Sequence, residues 1–377
     1  MSAATALLAH SEPLEFVARE ACLRDWAALE PDCNASAFLS SPWVGAWLAT
    51  LPAEQPLRKL IVTRADEIVA LGVFGSGFDG RWPRRRHSFY LHATGDADYD
   101  SIFIEQNGLL VRQGYEAEAT SVALRHLFES QRAVEQFRFD AVEAPDGFLQ
   151  AARSADLIVS DFRMAAPYVD LASLRESGSG YVESLGKKAR YAVRSACAAY
   201  AERFGALSVD VATAESAPEI LERLGTLSKA RHQGHGNASV FQRPFFNQFH
   251  TRLIGSAGAN NLVELLTVRA GNVDIGHLYL LRHRNRISFY QCGYDYALLD
   301  QRAQPGYAVL SLAIEHYLQA GYAAFDFLAE ATPYKLRLAR ASRDMAWLRF
   351  RRPTLRNRLE EIGRQWRHRH RPLDQRA

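Results

Sequence analysis

The chain has 377 residues, 48% of them hydrophobic and 23% charged, which is the composition of a globular protein with enough residues for two domains. No apolar run approaches the ~18 residues of a membrane span, and no basic segment precedes the short apolar patch at the N-terminus, which argues against a secretory signal. Four scattered cysteines without a CxxC pair or a histidine cluster predict reduced thiols, a cytoplasmic location and no metal site.

The net charge of +3 conceals an uneven distribution. From Lys335 to Ala377 the chain has 14 Lys and Arg against 4 Asp and Glu, a net of +10, which leaves 31 − 38 = −7 for the rest. Residues 353–377 are predicted to form a basic helix and tail. We favour a solvated helix covering the last domain, because Trp366 is its one aromatic residue and no nucleic-acid-binding module is recognisable. Contact with nucleic acid, anionic lipid or an acidic partner stays open.

The first half is predicted to alternate strands with short helices. In chain order the segments are a strand over 14–20, helices around 22–30 and 42–50, a strand pair over 57–66 and 67–78, a helix over 114–131, a buried strand over 136–144, a helix over 146–153, and strands around 157–162 and 166–172.

The second half has clearer punctuation by Pro and Gly. The predicted segments are a long helix over 181–205, a strand over 206–213, helices over 218–231 and 244–254, a three-stranded meander over 262–295, a helix over 305–321 capped by Gly321, a short buried strand over 323–328, a helix over 333–339 and a last strand over 345–352. The alternating pattern of the meander suits antiparallel strands with one buried face.

The two halves follow a similar order, and two buried strands share a signature. FRFDAV around Asp140 and AAFDFL around Asp326 are 326 − 140 = 186 residues apart. A weak internal duplication predicts two domains of one fold. We place them at 1–175 and 176–352, with the boundary in the Ser- and Gly-rich segment LASLRESGSG.

This order of elements resembles that of the GNAT N-acyltransferases. The second half is similar to the acetyltransferase domain of proteins linked to cellulose and exopolysaccharide biosynthesis, and four segments carry the likeness: SLGKKARYAVRSA, FYQCGYD, QPGYAVL and FDFLAEATPYKLRL. FLSSPWVGAWLA in the first half is also typical of these proteins. The tandem arrangement resembles the Fem-type aminoacyltransferases. The implied fold class is α/β, with two tandem GNAT-like domains, each a mixed, largely antiparallel sheet flanked by helices.

The resemblance implies acetyl-CoA or another acyl-CoA as co-substrate, bound where the fourth strand splays from the fifth. The pyrophosphate would lie on a loop patterned (Gln/Arg)-x-x-Gly-x-(Gly/Ala). Here Ala303 stands at the leading position and Pro305 removes one amide donor, so the loop departs from the pattern. A Pro-Gly before a helix is also an ordinary turn. The implied cofactor-binding residues are Tyr290, Gln291, Cys292, Gly293, Gln304, Gly306, Tyr307 and Ala308.

Three residues near the fifth strand are the implied catalytic candidates. Tyr334 occupies the place of a tyrosine that protonates the leaving thiolate, and Lys335 resembles a lysine that stabilises the oxyanion in Fem-type enzymes. Asp326 is a base or acceptor-orienting group, or a buried acid paired with Lys335 or Arg337. We favour the structural role, because Asp140 occupies the matching strand of the other half, where no Pro-Tyr-Lys follows.

Other polar residues give weaker hypotheses. Glu264 and His277 on the meander are alternative general bases for the acceptor amine. The segment SKARHQGHGN, residues 228–237, combines two cations with two histidines and two glycines in a loop that can face an anionic acceptor, although such clusters are usually solvated.

The predicted activity is transfer of an acetyl or longer acyl group from acyl-CoA to an amine or hydroxyl, with a saccharide or envelope precursor as acceptor by resemblance. Aminoacyl transfer from aminoacyl-tRNA in the Fem manner is the second possibility, which the basic C-terminus favours. A catalytically degenerate GNAT domain that serves as a binding or scaffold protein is the third. Acyl chain, acceptor and oligomeric state are not indicated by the sequence.

Overall fold

The computed structural model describes residues 6–80, 85–256, 261–299 and 303–369, with side chains to residue 363. The thirteen strands of these ranges are β1 (Leu7–Pro13), β2 (Leu57–Arg64), β3 (Glu67–Asp79), β4 (Arg86–Leu91), β5 (Leu110–Val111), β6 (Gln136–Val142), β7 (Ile158–Asp170), β8 (Leu207–Val211), β9 (Val263–Ala270), β10 (Val273–His283), β11 (Arg286–Tyr294), β12 (Ala324–Asp326) and β13 (Ala341–Arg351).

Twelve α-helices connect and cover these strands in the same ranges. They are α1 (Arg19–Leu29), α2 (Ser41–Thr50), α3 (Glu116–Ser130), α4 (Asp146–Ser154), α5 (Leu171–Glu176), α6 (Tyr181–Ser184), α7 (Lys187–Phe204), α8 (Ala217–Gln233), α9 (Pro244–Ile254), α10 (Pro305–Gln319), α11 (Pro333–Leu338) and α12 (Leu355–Arg369).

All thirteen strands belong to one sheet, ordered β1-β2-β3-β4-β6-β13-β7-β12-β11-β10-β9-β8, with β5 pairing β3. Each half contributes an antiparallel meander whose last strand pairs in parallel with a short buried strand: β4 with β6, and β11 with β12. The sheet is mixed and largely antiparallel, as predicted.

The halves are joined at the centre of the sheet by an exchange of strands. β7, from the end of the first half, pairs with β12, and β13, from the end of the second half, pairs with β6. β7 and β13 also pair with each other along eleven consecutive residues, from Ile158 with Arg351 to Tyr168 with Ala341. One sheet runs through both predicted domains, 1–175 and 176–352.

The core has one main cluster in each half, one that both halves share, and a small fourth cluster of Ala141, Ala166, Ala329 and Met345. In the shared cluster Trp43 of α2 meets Phe249 of α9, with ring centroids 4.8 Å apart. Trp26, Phe38 and Phe246 are also fully buried there, and each such side chain contributes roughly 1.5–3 kcal/mol by leaving water. This packing fixes the two halves to each other behind the sheet.

Three local predictions for the first half were wrong. Residues 14–20 form a short 3-10 turn and the start of α1, and the first strand is β1, which pairs with β2. β4 was not predicted, although it is the third strand of the first meander. The strands predicted around 157–162 and 166–172 are one continuous strand, β7, because it crosses the whole sheet between β13 and β12.

Candidate active site

β11 and β12 separate soon after they meet. Their parallel pairing covers only three residues and ends at Ser288 with Asp326. Two residues further along β11, Tyr290 is an extra residue in the ladder, since Leu280 pairs with Phe289 and Tyr279 with Gln291. A bulge of this kind bends the strand that carries it. Together the bend and the lost pairing open a gap between the strands, which we call the second-half opening.

Asp326 closes the inner end of the second-half opening and is fully buried. Its carboxylate accepts hydrogen bonds from the Leu328 amide at 2.8 Å and from Gln106 Nε2 at 2.9 Å. Arg343 Nη2 of β13 lies 3.1 Å away. Burial raises the pKa of Asp326, and the Arg343 cation opposes that shift. With its oxygens engaged in this way, Asp326 connects three parts of the chain.

The loop after β12 is unusually constrained. Leu328 and Glu330 have φ angles of 60° and 67°, a left-handed conformation that costs a non-glycine residue roughly 1–2 kcal/mol. Between them, Ala329 donates its amide to Glu105 Oε2 at 2.6 Å and accepts from Lys335 Nζ at 2.8 Å. Strained backbone that several contacts hold in place is typical of functional sites.

Lys335 lies in the first turn of α11 and is partly buried. Its ammonium donates to the carbonyl oxygens of Phe327 and Ala329, at 2.9 and 2.8 Å. An ammonium has three donors, so one remains for a ligand. Burial lowers the pKa of Lys335, while the Glu105 and Glu330 carboxylates oppose the shift. The predicted pairing of Asp326 with Lys335 or Arg337 is not formed, since the cations on Asp326 are Arg343 and Arg286.

Tyr334 precedes Lys335 and is also partly buried. Its hydroxyl makes no hydrogen bond within the described residues, and its electrostatic neighbours are Cys292, Tyr296 and Glu330. Burial raises the pKa of this hydroxyl above its ordinary range, so that the phenol is protonated at neutral pH. Tyr334 is therefore an available proton donor beside β11.

Cys292 and Tyr294 of β11 lie on the other side of the second-half opening. Burial raises the pKa of the Cys292 thiol to about 11, which is opposite to what a nucleophilic cysteine needs. The Tyr294 hydroxyl is buried close to that thiol and makes no hydrogen bond of ordinary geometry to the described residues. A buried hydroxyl without a partner is a position where a bound ligand can supply one.

Glu105 was not identified from the sequence. It comes from the loop between β4 and β5 of the first half and reaches the second-half opening through its bond to the Ala329 amide. Burial raises the pKa of Glu105 to about 7. The hydrogen bond from the Ala329 amide and the nearby Lys335 cation act in the opposite direction, but burial is the larger effect. A carboxyl group with this pKa can exchange protons at neutral pH. Nothing in the local sequence pattern indicates a contact across 224 residues.

The first turn of α10 lies next to the second-half opening. A Cβ on Gly306 would lie 3.2 Å from the Tyr294 ring, and Arg337 of α11 donates to the Tyr307 hydroxyl at 3.3 Å. Gln304 is the exposed N-cap residue and makes no capping bond with its side chain. Pro305 has no amide hydrogen and the Tyr307 amide donates to the Gln304 carbonyl at 3.2 Å, so Gly306 has the unpaired amide at this helix end that can meet an anionic group. Ala308 is buried, so only its backbone faces that end.

The remaining predicted cofactor-binding residues on β11 have different surroundings. The Tyr290 side chain is in the shared core, where it donates to the Ile102 carbonyl and lies 3.2 Å from His250 Nε2. A Cβ on Gly293 would lie 2.5 Å from the Leu224 carbonyl, so α8 covers this strand closely. Gln291 is partly exposed. For Tyr290 and Gly293, therefore, only the backbone groups remain candidates for binding the cofactor.

The weaker candidates lie elsewhere. Glu264 accepts a hydrogen bond from the Tyr317 hydroxyl and pairs with Arg282 at 3.1 Å. His277 is buried, with Nδ1 2.9 Å from the Thr267 hydroxyl and Asp274 at 3.9 Å from Nε2. Residues 228–233 belong to α8 rather than to a loop. Glu264 and His277 therefore both have protein partners, and other residues form the second-half opening.

No cluster of three or more His, Cys, Asp or Glu able to hold a metal ion occurs in the part of the chain that the structure describes. Across the same ranges, no helix has the length and apolar character to cross a membrane.

The class of fold that this geometry defines is the tandem GNAT-like arrangement. The solved structure of FemX is similar with a TM-score of 0.57 and 10% identity, over 90% of this chain and 98% of FemX. The C-terminal domain of a putative lysylphosphatidylglycerol synthetase from Agrobacterium fabrum has a TM-score of 0.53 and 11% identity, over 89% and 93%. L-PGS from Bacillus licheniformis has a TM-score of 0.52 and 11% identity, over 90% and 96%. The predicted fold class is thereby confirmed.

At the level of sequence, the family model described as an acetyltransferase (GNAT) domain matches residues 187–336. The match begins with α7 and ends within α11, so it contains β11, β12, Tyr334 and Lys335. No curated protein matches the chain. The matched segment is the half that holds the second-half opening.

Proposed function

We propose that the protein transfers an acyl group from acyl-CoA to an amine or hydroxyl, with the second-half opening as its active site. The observation that carries the proposal is the short β11–β12 pairing beside Tyr334 and Lys335. The Tyr294 hydroxyl, which lies against the Cys292 thiol, and the first turn of α10 fit a bound acyl-CoA. The hydroxyl can meet a polar group of the pantetheine arm, and the helix start can meet the pyrophosphate. The residues present therefore fit the group.

The chemistry follows from where the side chains lie. The acceptor attacks the thioester carbonyl, and the carbonyl oxygen takes the negative charge, which the third donor of Lys335 stabilises. The carbon–sulfur bond then breaks, and the Tyr334 hydroxyl gives its proton to the departing thiolate. The protonated thiol of Cys292 favours direct transfer over an acyl-cysteine intermediate.

Glu105 completes the proposal as the base. An attacking amine or hydroxyl must lose a proton, and Glu105 is the carboxyl group near Lys335 whose pKa, about 7, suits that step. Asp326 is assigned to positioning, because its oxygens are engaged by Gln106, Leu328 and Arg343.

The acceptor and the setting are proposed from resemblance alone. A saccharide or envelope precursor is the proposed acceptor, and the proposed location is the cytoplasm. We retain the domains 1–175 and 176–352, with 353–377 as a basic helix and tail, and recognise that β7 and β13 are exchanged between them.

A second candidate is aminoacyl transfer from aminoacyl-tRNA, in the manner of Fem-type enzymes. The observation that favours it is the similarity to FemX along 98% of that chain. It would use the same second-half opening and the same Lys335, with the tRNA phosphates bound by basic residues. A third candidate, a degenerate binding domain, predicts binding without turnover.

Thermal-shift measurements with acetyl-CoA, a long-chain acyl-CoA and aminoacyl-tRNA distinguish these candidates. We expect stabilisation by an acyl-CoA, followed by release of free thiol when an amine is added. Stabilisation by aminoacyl-tRNA alone would favour the second candidate, and acyl-CoA binding without thiol release the third.

The position of the pyrophosphate is tested by Gln304→Glu. A negative charge at the start of α10 should weaken CoA binding about tenfold by repulsion while leaving the helix stable, because the helix dipole favours an acid there. Gln113→Glu, in the exposed turn before α3 of the first half, is the matched control. Equal CoA affinity in the two variants would remove the pyrophosphate from α10.

A further inference from the structure

The helix α12 is amphipathic with its polar face inward. On the side that meets the sheet, Arg86 donates to Glu360 and lies 3.2 Å from the Asn357 amide oxygen. Arg351 pairs with Glu361 at 3.1 Å, and Asn357 is 5% exposed. The helix is thus attached to the protein by ion pairs and hydrogen bonds rather than by apolar packing.

The opposite face of α12 is apolar and open. Leu355, Leu359 and Ile362 are 79%, 62% and 62% exposed. The spacing of four and three residues places them along one stripe of the helix. A stripe that leaves large aliphatic side chains in water is costly unless a partner covers it.

Arg356 and Arg358, whose side chains are described, lie next to this stripe. Arg356 pairs with Glu360 at 3.3 Å and with Glu135 at 3.6 Å, and Arg358 pairs with Asp156 at 3.7 Å. Residues 353–377 contain seven Arg and three acids, and two of the acids, Glu360 and Glu361, are already paired with Arg86 and Arg351. The sequence continues the apolar spacing with Trp366, whose side chain lies outside the described residues. The segment therefore combines an open apolar stripe with an excess of positive charge.

We propose that α12 binds the surface of a membrane that contains anionic lipids, with Leu355, Leu359 and Ile362 inserted between the headgroups. An apolar stripe on an amphipathic helix is the structure that inserts at such an interface, and anionic headgroups attract arginines beside the stripe and in the basic segment that follows. RNA would meet the arginines and leave the stripe in water. A second copy would bring two basic helices together, which charge repulsion opposes.

The ion pairs on the inner face give the helix a fixed orientation. Because Glu360 and Glu361 hold α12 against the sheet, the apolar stripe is presented without a change in fold. Phe162, 61% exposed, and Trp347 line a cavity of about 600 Å³ next to Glu360 and Gly363. Arg86 and Arg351 line the same cavity, on the inner side of the helix. The inference does not depend on the proposed acyl transfer.

Vesicle co-sedimentation of the full chain tests the proposal. We compare phosphatidylcholine vesicles with vesicles of phosphatidylcholine and phosphatidylglycerol. Binding is expected to the second kind, and it should weaken as salt is raised. Leu359→Glu should reduce this binding about tenfold or more, because one inserted leucine side chain is replaced by a charge. Val17→Glu, at another exposed apolar position, is the matched control and should bind like the original chain.

Several results would overturn the proposal. The first is an absence of binding to either kind of vesicle. The second is vesicle binding that Leu359→Glu and Val17→Glu reduce equally. The third is a dimer, detected by light scattering, that Leu359→Glu dissociates, in a protein that does not bind vesicles. Binding of tRNA that depends on Leu359, with no vesicle binding, would assign the helix to RNA instead. Because Leu359 is exposed, the variant is expected to fold, which its melting temperature verifies.

Discussion

The two halves contain the same pair of diverging strands and use them differently. In the first half, β4 and β6 pair over three residues, from Ser88 to Tyr90, and the gap beyond is filled. Asn107 bridges to Val142 of β6, and its side-chain amide donates to the Leu91 carbonyl of β4 at 3.0 Å. In the second half, Tyr334 and Lys335 lie beside the corresponding gap. The gap between β4 and β6 is thus filled by the protein itself, whereas polar side chains with unused donors lie beside the gap between β11 and β12.

The helix that follows each short strand shows the same difference. In the first half Pro145 precedes Asp146 and Gly147, whereas in the second half Pro333 precedes Tyr334 and Lys335. The first half therefore has neither a phenol nor an ammonium where the second has both. A duplicated fold keeps the geometry of a site more readily than its chemistry.

The segment that fills the first gap also serves the second. The residues just before Asn107 are Glu105 and Gln106, which bond to the Ala329 amide and to Asp326. Filling the first gap thus fixes the groups that the first half supplies to the second-half opening. The first half is then a structural part of the active site that we propose.

The largest expected effect comes from the matched aspartates. Asp326→Asn removes a fully buried carboxylate from Arg343, which keeps Glu143 as its other carboxylate partner, and the free energy of unfolding should fall by about 3 kcal/mol. Asp140→Asn, at the position that the shared sequence signature matches to Asp326, removes a partly exposed pair with Arg138 and should cost about 1 kcal/mol or less. Denaturant unfolding of both variants measures the difference. A stable Asp326→Asn variant without activity would instead make Asp326 the base.

Lys335→Met removes a positive charge that has no counterpart at the corresponding position of the first half. We expect kcat for acyl transfer to fall by ~10²–10³, as for other lost oxyanion donors. Unfolding free energy should also fall, by roughly 1–3 kcal/mol, because the carbonyls of Phe327 and Ala329 lose their donor. Steady-state kinetics and thermal melts separate the two effects. Lys188→Met, an exposed lysine of α7, should change neither.

Tyr334→Phe tests the proton donor with the smallest change in packing. Since the hydroxyl has no protein partner within the described residues, stability and CoA affinity should be preserved, while kcat should fall by about 10². Tyr191→Phe, at a 75% exposed position, is the control. Normal turnover by Tyr334→Phe would show that the thiolate leaves without an acid, or that another group donates.

The sequence was sufficient for features that depend on neighbouring residues. α9 begins at Pro244 and ends at Ile254 as predicted, and Gly321 has the left-handed φ of 89° expected of a helix cap. Alternation and tight turns likewise located β9 to β11. The order of elements in the second half followed from such local patterns.

Features that depend on distant residues were not predictable. The exchange of β7 and β13 needs pairing between residues from 341 − 168 = 173 to 351 − 158 = 193 positions apart. The bulge at Tyr290 is a property of register rather than of composition. Glu105 lies in a segment with no periodic pattern, and its relevance appears only when its contact with Ala329 is known. The candidate site was therefore predicted on the second half alone.

Glu105→Gln has the smallest expected effect and examines this contribution of the first half most directly. The pKa of Glu105 is about 7 because burial outweighs the Ala329 amide and the Lys335 cation. If the carboxylate accepts the proton of the acceptor, kcat/KM should rise as pH increases through about 7. Glu105→Gln should be about tenfold slower above that pH and should lose this dependence. Its amide oxygen can still accept from Ala329, so the loop should keep its conformation.

The same pKa gives a dependence of stability on pH with a defined sign. Because the folded-state pKa of Glu105 lies above its ordinary value of 4.5, the folded chain binds the proton more tightly than the unfolded chain. The stability contributed by this residue is complete below about 4.5 and is lost as pH rises through about 7. Melts across this window should show a decline that Glu105→Gln reduces. If the variant kept both the kinetic and the stability dependence, a different group would titrate there. The first half would then position the Phe327–Glu330 loop without taking part in proton transfer.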